Sequence, residues 1–215
     1  MHLDPADRSE VRLPRPVKGP AQWDLRFAEP GFAYGEAPNV FLVSAVAGMP
    51  PGEALSLAEG EGRNAVHLAR LGHKVTAVDF SRVGRDKALD LAQRRGVGLV
   101  YQHTDLAELE LGAECWDLVV AVFSQPPSLV RKRLHGSLCR ALKPGGHFIL
   151  ESKVEPGQDA DGRYPGVDVL CAELVGLDVL LRDEADRELS EGRFHVGVHR
   201  TARIVAQRPA GREVV

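Results

Sequence analysis

Long apolar runs, paired cysteines and a surplus of one charge are all missing from this chain of 215 residues. No stretch reaches the roughly 18 consecutive apolar residues that cross a bilayer, so no spanning helix is expected. The opening MHLDPADRSEVRLPRPVKGP is polar and proline-rich and lacks the apolar centre of a signal peptide, so residues 1–20 read as a flexible tail. Cys115, Cys139 and Cys171 lie far apart with no CxxC pair. That spacing excludes a disulfide framework and a zinc site, and points to reduced thiols in a cytoplasmic protein. With 27 basic and 30 acidic residues, a net charge of −3 and no basic cluster, the footprint of a nucleic-acid binder is absent. Neither nucleic acid nor a membrane is therefore an expected partner.

What remains is ordinary for one globular domain: 44% hydrophobic and 27% charged residues, and enough length to bury a core. From residue 21 the pattern is regular. Gln22–Ala28 and Asn39–Gly48 read as short helices joined by GFAYGEAP. Strands and helices then alternate: Ala54–Ala58 strand, Arg63–Leu71 helix, Lys74–Asp79 strand, Gly84–Arg95 helix and Leu99–His103 strand. Asp117–Phe123 is a continuous apolar run of the kind buried on both faces of a parallel sheet. Leu129–Leu142 is a helix stopped by Lys143-Pro144-Gly145-Gly146, followed by a strand over His147–Glu151. Beyond a polar loop come a helix (Val167–Val175) and two strands, Leu177–Asp183 and Phe194–Gln207, joined as a hairpin through Ser190-Glu191-Gly192. Such alternation implies a mainly parallel, doubly wound α/β sheet of seven strands with helices on both faces and one antiparallel strand at the end. Residues 21–210 form one domain, with residues 21–49 as its N-terminal lid.

The stretch LSLAEGEGRNAVHLARLGHKVTAVDFS carries the chemistry. Gly60-x-Gly62-x-x-Ala65 lies between a strand and a helix, and Asp79 ends the next strand 19 residues after Gly60. An acid there can hold the hydroxyls of an adenosine ribose, which fits both NAD and S-adenosylmethionine. Glu59 and Glu61 flank the turn. A pyrophosphate set on this loop would be repelled by them, whereas the ammonium and sulfonium of S-adenosylmethionine would be attracted. The terminal hairpin favours the same cofactor, and no second half-sheet is present to take a nicotinamide.

This segment resembles motif I of the Rossmann-like, class I S-adenosylmethionine-dependent methyltransferases. Together with WDLRFAEPGFAYGEAPNVFL, HTDL, WDLVVAVF and ALKPGGHFILE in that order, it is similar to the tellurite-resistance and thiopurine methyltransferase subgroup over residues 23–207. The resemblance implies strand order 3-2-1-4-5-7-6 with the cofactor across the carboxyl ends of strands 1 and 4. It implies that Ala58, Gly60 and Gly62 pass close to the methionine portion, that Asp79 accepts the ribose hydroxyls, and that Phe80 lies on the adenine. Asp105 would accept the adenine amino group, the Leu106 backbone would contact the ring, and Phe123 would sit beside the sulfur. Asn64, in the first helical turn, either touches the cofactor or orders the loop. Two departures stand out: Ser56 and Ala58 replace the acid and glycine common in the family, and the missing acid removes a brace from the loop.

Trp23, Arg26, Phe27 and Tyr34 are too aromatic a set for a free tail. They read either as a lid, with Arg26 on the cofactor's carboxylate and Tyr34 lining the methyl channel, or as a helix packed on the sheet rim. After strand 4, Gln125-Pro126-Pro127-Ser128 lacks the aromatic stacker of enzymes that methylate adenine or glutamine amides, which argues against those acceptors. In the hairpin Arg187–His195, Arg193 and His195 are the candidate catalytic residues, Arg193 for an anionic acceptor and His195 also as a base for a thiol. His195 and His199 lie roughly 13 Å apart if both are on a strand, so no metal site is expected. The expected function is methyl transfer to a small-molecule acceptor, a thiol or a chalcogen oxyanion such as tellurite. The alternatives are an NAD(P)-dependent reductase and a non-catalytic S-adenosylmethionine-binding protein. Monomer and homodimer both remain open.

Overall fold

The computed structural model describes residues 19–155 and 162–211, so the tail expected over residues 1–20 lies, up to residue 18, outside the described residues. Helix α1 (Pro20–Ala28) starts on a proline, whose missing N–H costs nothing in a first turn. Helix α2 (Val40–Ala45) is capped by Asn39, whose side chain accepts the Leu42 N–H at 2.8 Å. There follow β1 (Glu53–Leu57), α3 (Arg63–Arg70), β2 (Lys74–Asp79), α4 (Arg82–Arg94), β3 (Val100–His103) and β4 (Trp116–Val122). The chain continues through α5 (Ser128–Ala141), β5 (Leu142–Lys153), α6 (Val167–Glu173), β6 (Asp178–Glu191) and β7 (His195–Gln207).

The seven strands form one sheet in the order β3-β2-β1-β4-β5-β7-β6, as the family resemblance implied. The first five strands are parallel to one another, while β7 runs antiparallel to both β5 and β6. Alternate residues of β4 explain its unbroken apolar run. Leu118 and Val120 pack with Leu42 and Leu68 on one face; Val119 and Ala121 pack with Leu138, Phe148 and Leu170 on the other. Both faces are covered, so no polar alternation survives.

Two boundaries differ from expectation. Lys143-Pro144-Gly145-Gly146 is a bulge inside β5 rather than a stop before it: Leu142 already pairs with Trp116, and the register resumes at His147 opposite Leu118. Gly145 holds the bend at φ 80°, and its N–H and C=O are taken by Arg208 and Gln207. Strand β6 runs on to Glu191, eight residues past the expected end, and pairs with β7 down to Glu191 opposite His195. Most of Arg182–Ser190 is exposed or half-buried, so the strand carries no apolar alternation for a sequence reader to find. Among the described residues no helix is long and apolar enough to cross a membrane.

The parallel strands β2, β1, β4 and β5 end at the same edge, with the chain direction of the crossovers reversing between β1 and β4. Ligands of open α/β sheets bind outside such an edge. Phe148, wholly buried between α5 and β7, anchors the opposite side of the sheet. Phe148→Ala should lower the unfolding free energy by about 3–5 kcal/mol in urea denaturation, whereas Leu129→Ala, at a residue 80% exposed, should stay within about 0.5 kcal/mol.

Candidate active site

The glycine turn is braced by the acids that flank it. Glu59 is buried, and its carboxylate accepts the N–H groups of Asn64 at 3.0 Å and Ala65 at 2.9 Å. These are donors of the first turn of α3, which has no partner within the helix for them. The other Glu59 oxygen accepts the Ser56 hydroxyl. Burial pushes the Glu59 carboxyl up, against the pull of Ser56, the two N–H groups and Arg63. Glu61 turns to the other side, accepting the Ala33 N–H at 2.7 Å and pairing with Lys87 at 2.9 Å. Neither carboxylate is free for a ligand cation, which corrects the expectation of direct attraction to a sulfonium. The brace thought lost with Ser56 is supplied from Glu59.

Backbone geometry completes the turn. Ala58 sits at φ 51°, a left-handed conformation that costs a non-glycine residue roughly 1–2 kcal/mol. Gly62 stands at φ 92°, and a Cβ there would meet the Ala88 methyl at 2.5 Å, so α3 and α4 approach only because this residue is glycine. The Gly60 carbonyl accepts the Tyr101 hydroxyl at 2.6 Å.

Asp79, at the end of β2, accepts the Gly60 N–H at 3.0 Å and the Ser81 N–H at 2.8 Å. Burial outweighs both bonds and pushes its carboxyl from 3.8 up to about 6. Beside it an open cleft of about 400 Å³ is lined by Asp24, Phe80, Arg82, His103, Thr104 and Asp105. Phe80 and Asp105, two of the expected adenine contacts, thus line one cleft. The Asp105 carboxylate also accepts the Ala107 N–H at 2.8 Å and forms its own turn, and the Leu106 side chain packs onto the core. Asn64 is committed to structure, since its side-chain oxygen accepts the Asn39 N–H at 2.9 Å.

The N-terminal segment roofs this edge. Asp24 accepts the Ser81 hydroxyl at 2.6 Å and so ties α1 to the start of α4, while Phe27 rests against Gly60. Arg26 donates to the Tyr34 hydroxyl at 2.8 Å and lies over the Trp23 and Phe194 rings. Burial raises the Tyr34 phenol above its usual range. The His195 ring sits 4.4 Å from Tyr34 and 4.2 Å from Phe123, so the N-terminal segment, the end of β4 and the hairpin meet at one point. Phe123 itself stands at φ 53°, with its N–H on the Glu151 carbonyl at 2.7 Å.

Arg193 does not join them. It pairs with Glu29 at 2.8 Å, both side chains about half exposed, while its backbone N–H holds the Ala33 carbonyl at 2.9 Å. The residues that sequence reasoning missed are Asn39, Glu151 and Glu191. Glu191 accepts from Arg63 at 2.7 Å and from Asn39 at 2.9 Å, and lies 3.4 Å from His195 Nδ1. Glu151, fully buried, accepts from Asn39 at 2.6 Å and from Arg203 at 2.5 Å. A carboxylate ending the apolar strand HFILE was the available signal for Glu151; nothing marks a charge at a hairpin tip as buried. Against its burial, the hydrogen bond from His195 and the charge and hydrogen bond of Arg63 hold the Glu191 carboxyl down at about 2, and burial lowers His195 below the usual imidazole range.

Residues 54–146 match the family model described as methyltransferase domain. That segment, less than half of the chain, is similar to methyltransferase domains. The demethylmenaquinone methyltransferase of Clavibacter sepedonicus is 28% identical over 147 residues, covering 62% of this chain and 58% of that protein. The chain thus matches less than two thirds of that relative's length. The N-methyltransferase NodS of Bradyrhizobium japonicum, in complex with S-adenosyl-L-homocysteine, shares the fold with a TM-score of 0.69 at 15% identity, over 88% of this chain and 98% of that one. TehB of Haemophilus influenzae shares it with a TM-score of 0.68 at 17% identity, over 79% and 62%. Such identities speak for the fold alone. The cofactor of a methyltransferase domain with this fold is S-adenosylmethionine. The cradle fits it: Glu59 already fills the α3 N-terminus where a dinucleotide would need to seat its pyrophosphate.

Glu59→Ala leaves two helix N–H groups and a buried hydroxyl without partners. Urea denaturation should show a loss of about 1–3 kcal/mol; for Glu53→Ala, which breaks only the exposed pair with Lys74, the change should be below about 1 kcal/mol.

Proposed function

We propose that this protein transfers a methyl group from S-adenosylmethionine to a small-molecule acceptor that presents a thiol or a chalcogen oxyanion. The observation that carries the proposal is the meeting of Tyr34, Phe123 and His195 beside a glycine turn whose helix terminus is already filled by Glu59. The cofactor supplies an electrophilic methyl group, whose bond to sulfur breaks with its electron pair left on the sulfur.

The chain's own residues bind, orient and shield. Asp79 takes the ribose hydroxyls with the acceptor capacity left after its two backbone bonds. Phe80 lies on the adenine, with Asp105 and the Leu106 backbone at its edge. Ala58, Gly60 and Gly62 present backbone to the methionine portion, Arg26 takes its carboxylate, and Phe123 flanks the sulfur. The lid formed by residues 21–49 excludes water, which would otherwise screen the reacting charges. His195 is neutral near pH 7 because burial lowers its pKa. Glu191, 3.4 Å from Nδ1, favours the tautomer protonated there and leaves Nε2 to accept the proton of a thiol. Arg193, on the outer side of the hairpin, holds Glu29 and so steadies the lid rather than the acceptor.

A methyl-transfer assay with isotopically labelled S-adenosylmethionine against thiols, selenite and tellurite tests the acceptor; no labelled product from any of them would overturn it. His195→Ala should keep cofactor affinity and lose roughly 100-fold or more in turnover of a thiol. Asp79→Ala should weaken cofactor binding by roughly 1.5–3 kcal/mol in calorimetry. Because the folded Asp79 carboxyl titrates at about 6 instead of 3.8, its ionisation costs the free protein stability. The contribution is fully present below pH 4 and lost as the pH rises through 6, in total about 3 kcal/mol. Wild-type cofactor affinity should accordingly fall as the pH drops below about 6, and the Asp79→Ala variant should lack that dependence.

A further inference from the structure

Strand β6 is the outermost of the sheet, and its strand partner among the described residues is β7 alone. From Val179 to Asp183 the side chains on both faces are exposed, so this edge lies open. The far end of β6 is thinly supported. The pairing of β5 with β7 stops at Thr201, yet β6 and β7 pair on for six more residues each, down to Glu191 opposite His195. That arm is a two-stranded ribbon, and such ribbons are marginal in water without a further strand. The N-terminal segment holds its tip, through Asn39 and the Ala33 carbonyl, and leaves the outer edge on β6 open. Val196 and Val198 lie exposed on the arm, on the face opposite His195.

Charges on an edge strand usually keep other strands away. Those of β6 match one another in a single register. Turned antiparallel against a second copy about Ala185, the strand sets Arg182 opposite Glu188 of the partner subunit and Asp183 opposite the partner's Arg187. The exposed Leu181 then meets the partner's Leu189. Each contact occurs twice, because a two-fold interface is isologous. Leu181, Asp183 and Arg187 share the face of His195, whereas Arg182 and Glu188 share the face of α6, on which Arg182 already pairs with Asp168. One like-charged pair is left, Glu184 opposite Asp186. In each copy Arg200 lies against both carboxylates, at 2.8 and 3.4 Å, and offsets their repulsion. A slip of one residue sets Arg182 against Arg187 and Asp183 against Asp186. A slip the other way sets Asp183 against Glu188, and like charges directly opposite are destabilising.

We infer that the protein is a homodimer in which β6 of two copies pairs antiparallel about Ala185, joining both sheets into one. Residues 186–189 of each arm lie along residues 181–184 of the other β6, so the two-stranded ribbon gains its third strand. The arm carries Glu191 and His195, and each copy therefore steadies one wall of the other's candidate site.

Sedimentation velocity of the full chain over a concentration series tests the inference. Wild type should sediment at twice the chain mass and dissociate on dilution. Arg182→Glu and Glu188→Arg each place like charges opposite one another at two symmetric positions. Each should raise the dissociation constant about tenfold or more, with an unchanged circular dichroism spectrum. Mixed in equal amounts, the two variants restore both ion pairs across the interface, so the mixture should dimerise like wild type although neither variant does so alone. The double variant Arg182→Glu/Glu188→Arg should recover in the same way. Wild type that stays monomeric at every concentration overturns the inference. So does a dimer that both single variants leave intact, or a loss of dimer that mixing does not repair.

Discussion

The Glu59 carboxylate on the first turn of α3 is the contact from which the rest of the site follows. A strand-to-helix turn leaves backbone N–H groups pointing at the ligand side, and such groups demand an anion. Here the anion is part of the chain. One carboxylate oxygen satisfies Asn64 and Ala65, and the other fixes Ser56 on β1, so the turn is held in shape before any ligand arrives. Its cost is a buried acid and a left-handed Ala58. The gain is selectivity by exclusion, because a pyrophosphate finds both the space and the donors taken. What the turn still offers is close-packed backbone at Gly60 and Gly62, together with Asp79, and these suit a ligand whose anionic group lies elsewhere.

Around this turn the N-terminal segment is fastened at two places, Asp24 and Ala33. Asp24 binds the start of α4, Glu61 binds the Ala33 N–H, and the Arg193 N–H binds the Ala33 carbonyl. Gly192 makes the last approach possible, since a Cβ there would lie 2.5 Å from the Ala33 oxygen. Glu191 and Glu151 then join lid, α3 and hairpin through Asn39, Arg63 and Arg203. Buried ion pairs of this kind add little net stability, but breaking one partner leaves a stranded charge. The network therefore ties the N-terminal segment to the hairpin around His195.

The alternating strands and helices, the glycine turn and Asp79 at the end of β2 were legible because local rules set them: β-branched runs, the spacing of Gly60, Gly62 and Asp79, and the apolar β4; the strand order came from the family resemblance, since no local pattern encodes which strands lie side by side. The bulge at Gly145 and the length of β6 were not, since the first depends on a partner strand 62 residues away and the second lacks burial to pattern it. The site divided in the same way. Arg26, Tyr34, Phe123 and His195 stood out as residue types in suggestive places, and the fold brings them together. Arg193 stood out equally and faces outward, because a strand's two faces differ only in register. Glu59 was visible but misassigned: its charge could be read, whereas its partners, the N–H groups five and six residues on, could not.

The most direct measurement titrates the purified protein with S-adenosylmethionine and, separately, with NADH by calorimetry. The account predicts saturable S-adenosylmethionine binding with no NADH binding, because Glu59 occupies the helix terminus that a pyrophosphate needs. Binding of NADH without S-adenosylmethionine would mean that the Glu59 carboxylate yields that terminus to a ligand, and would contradict the account at its base.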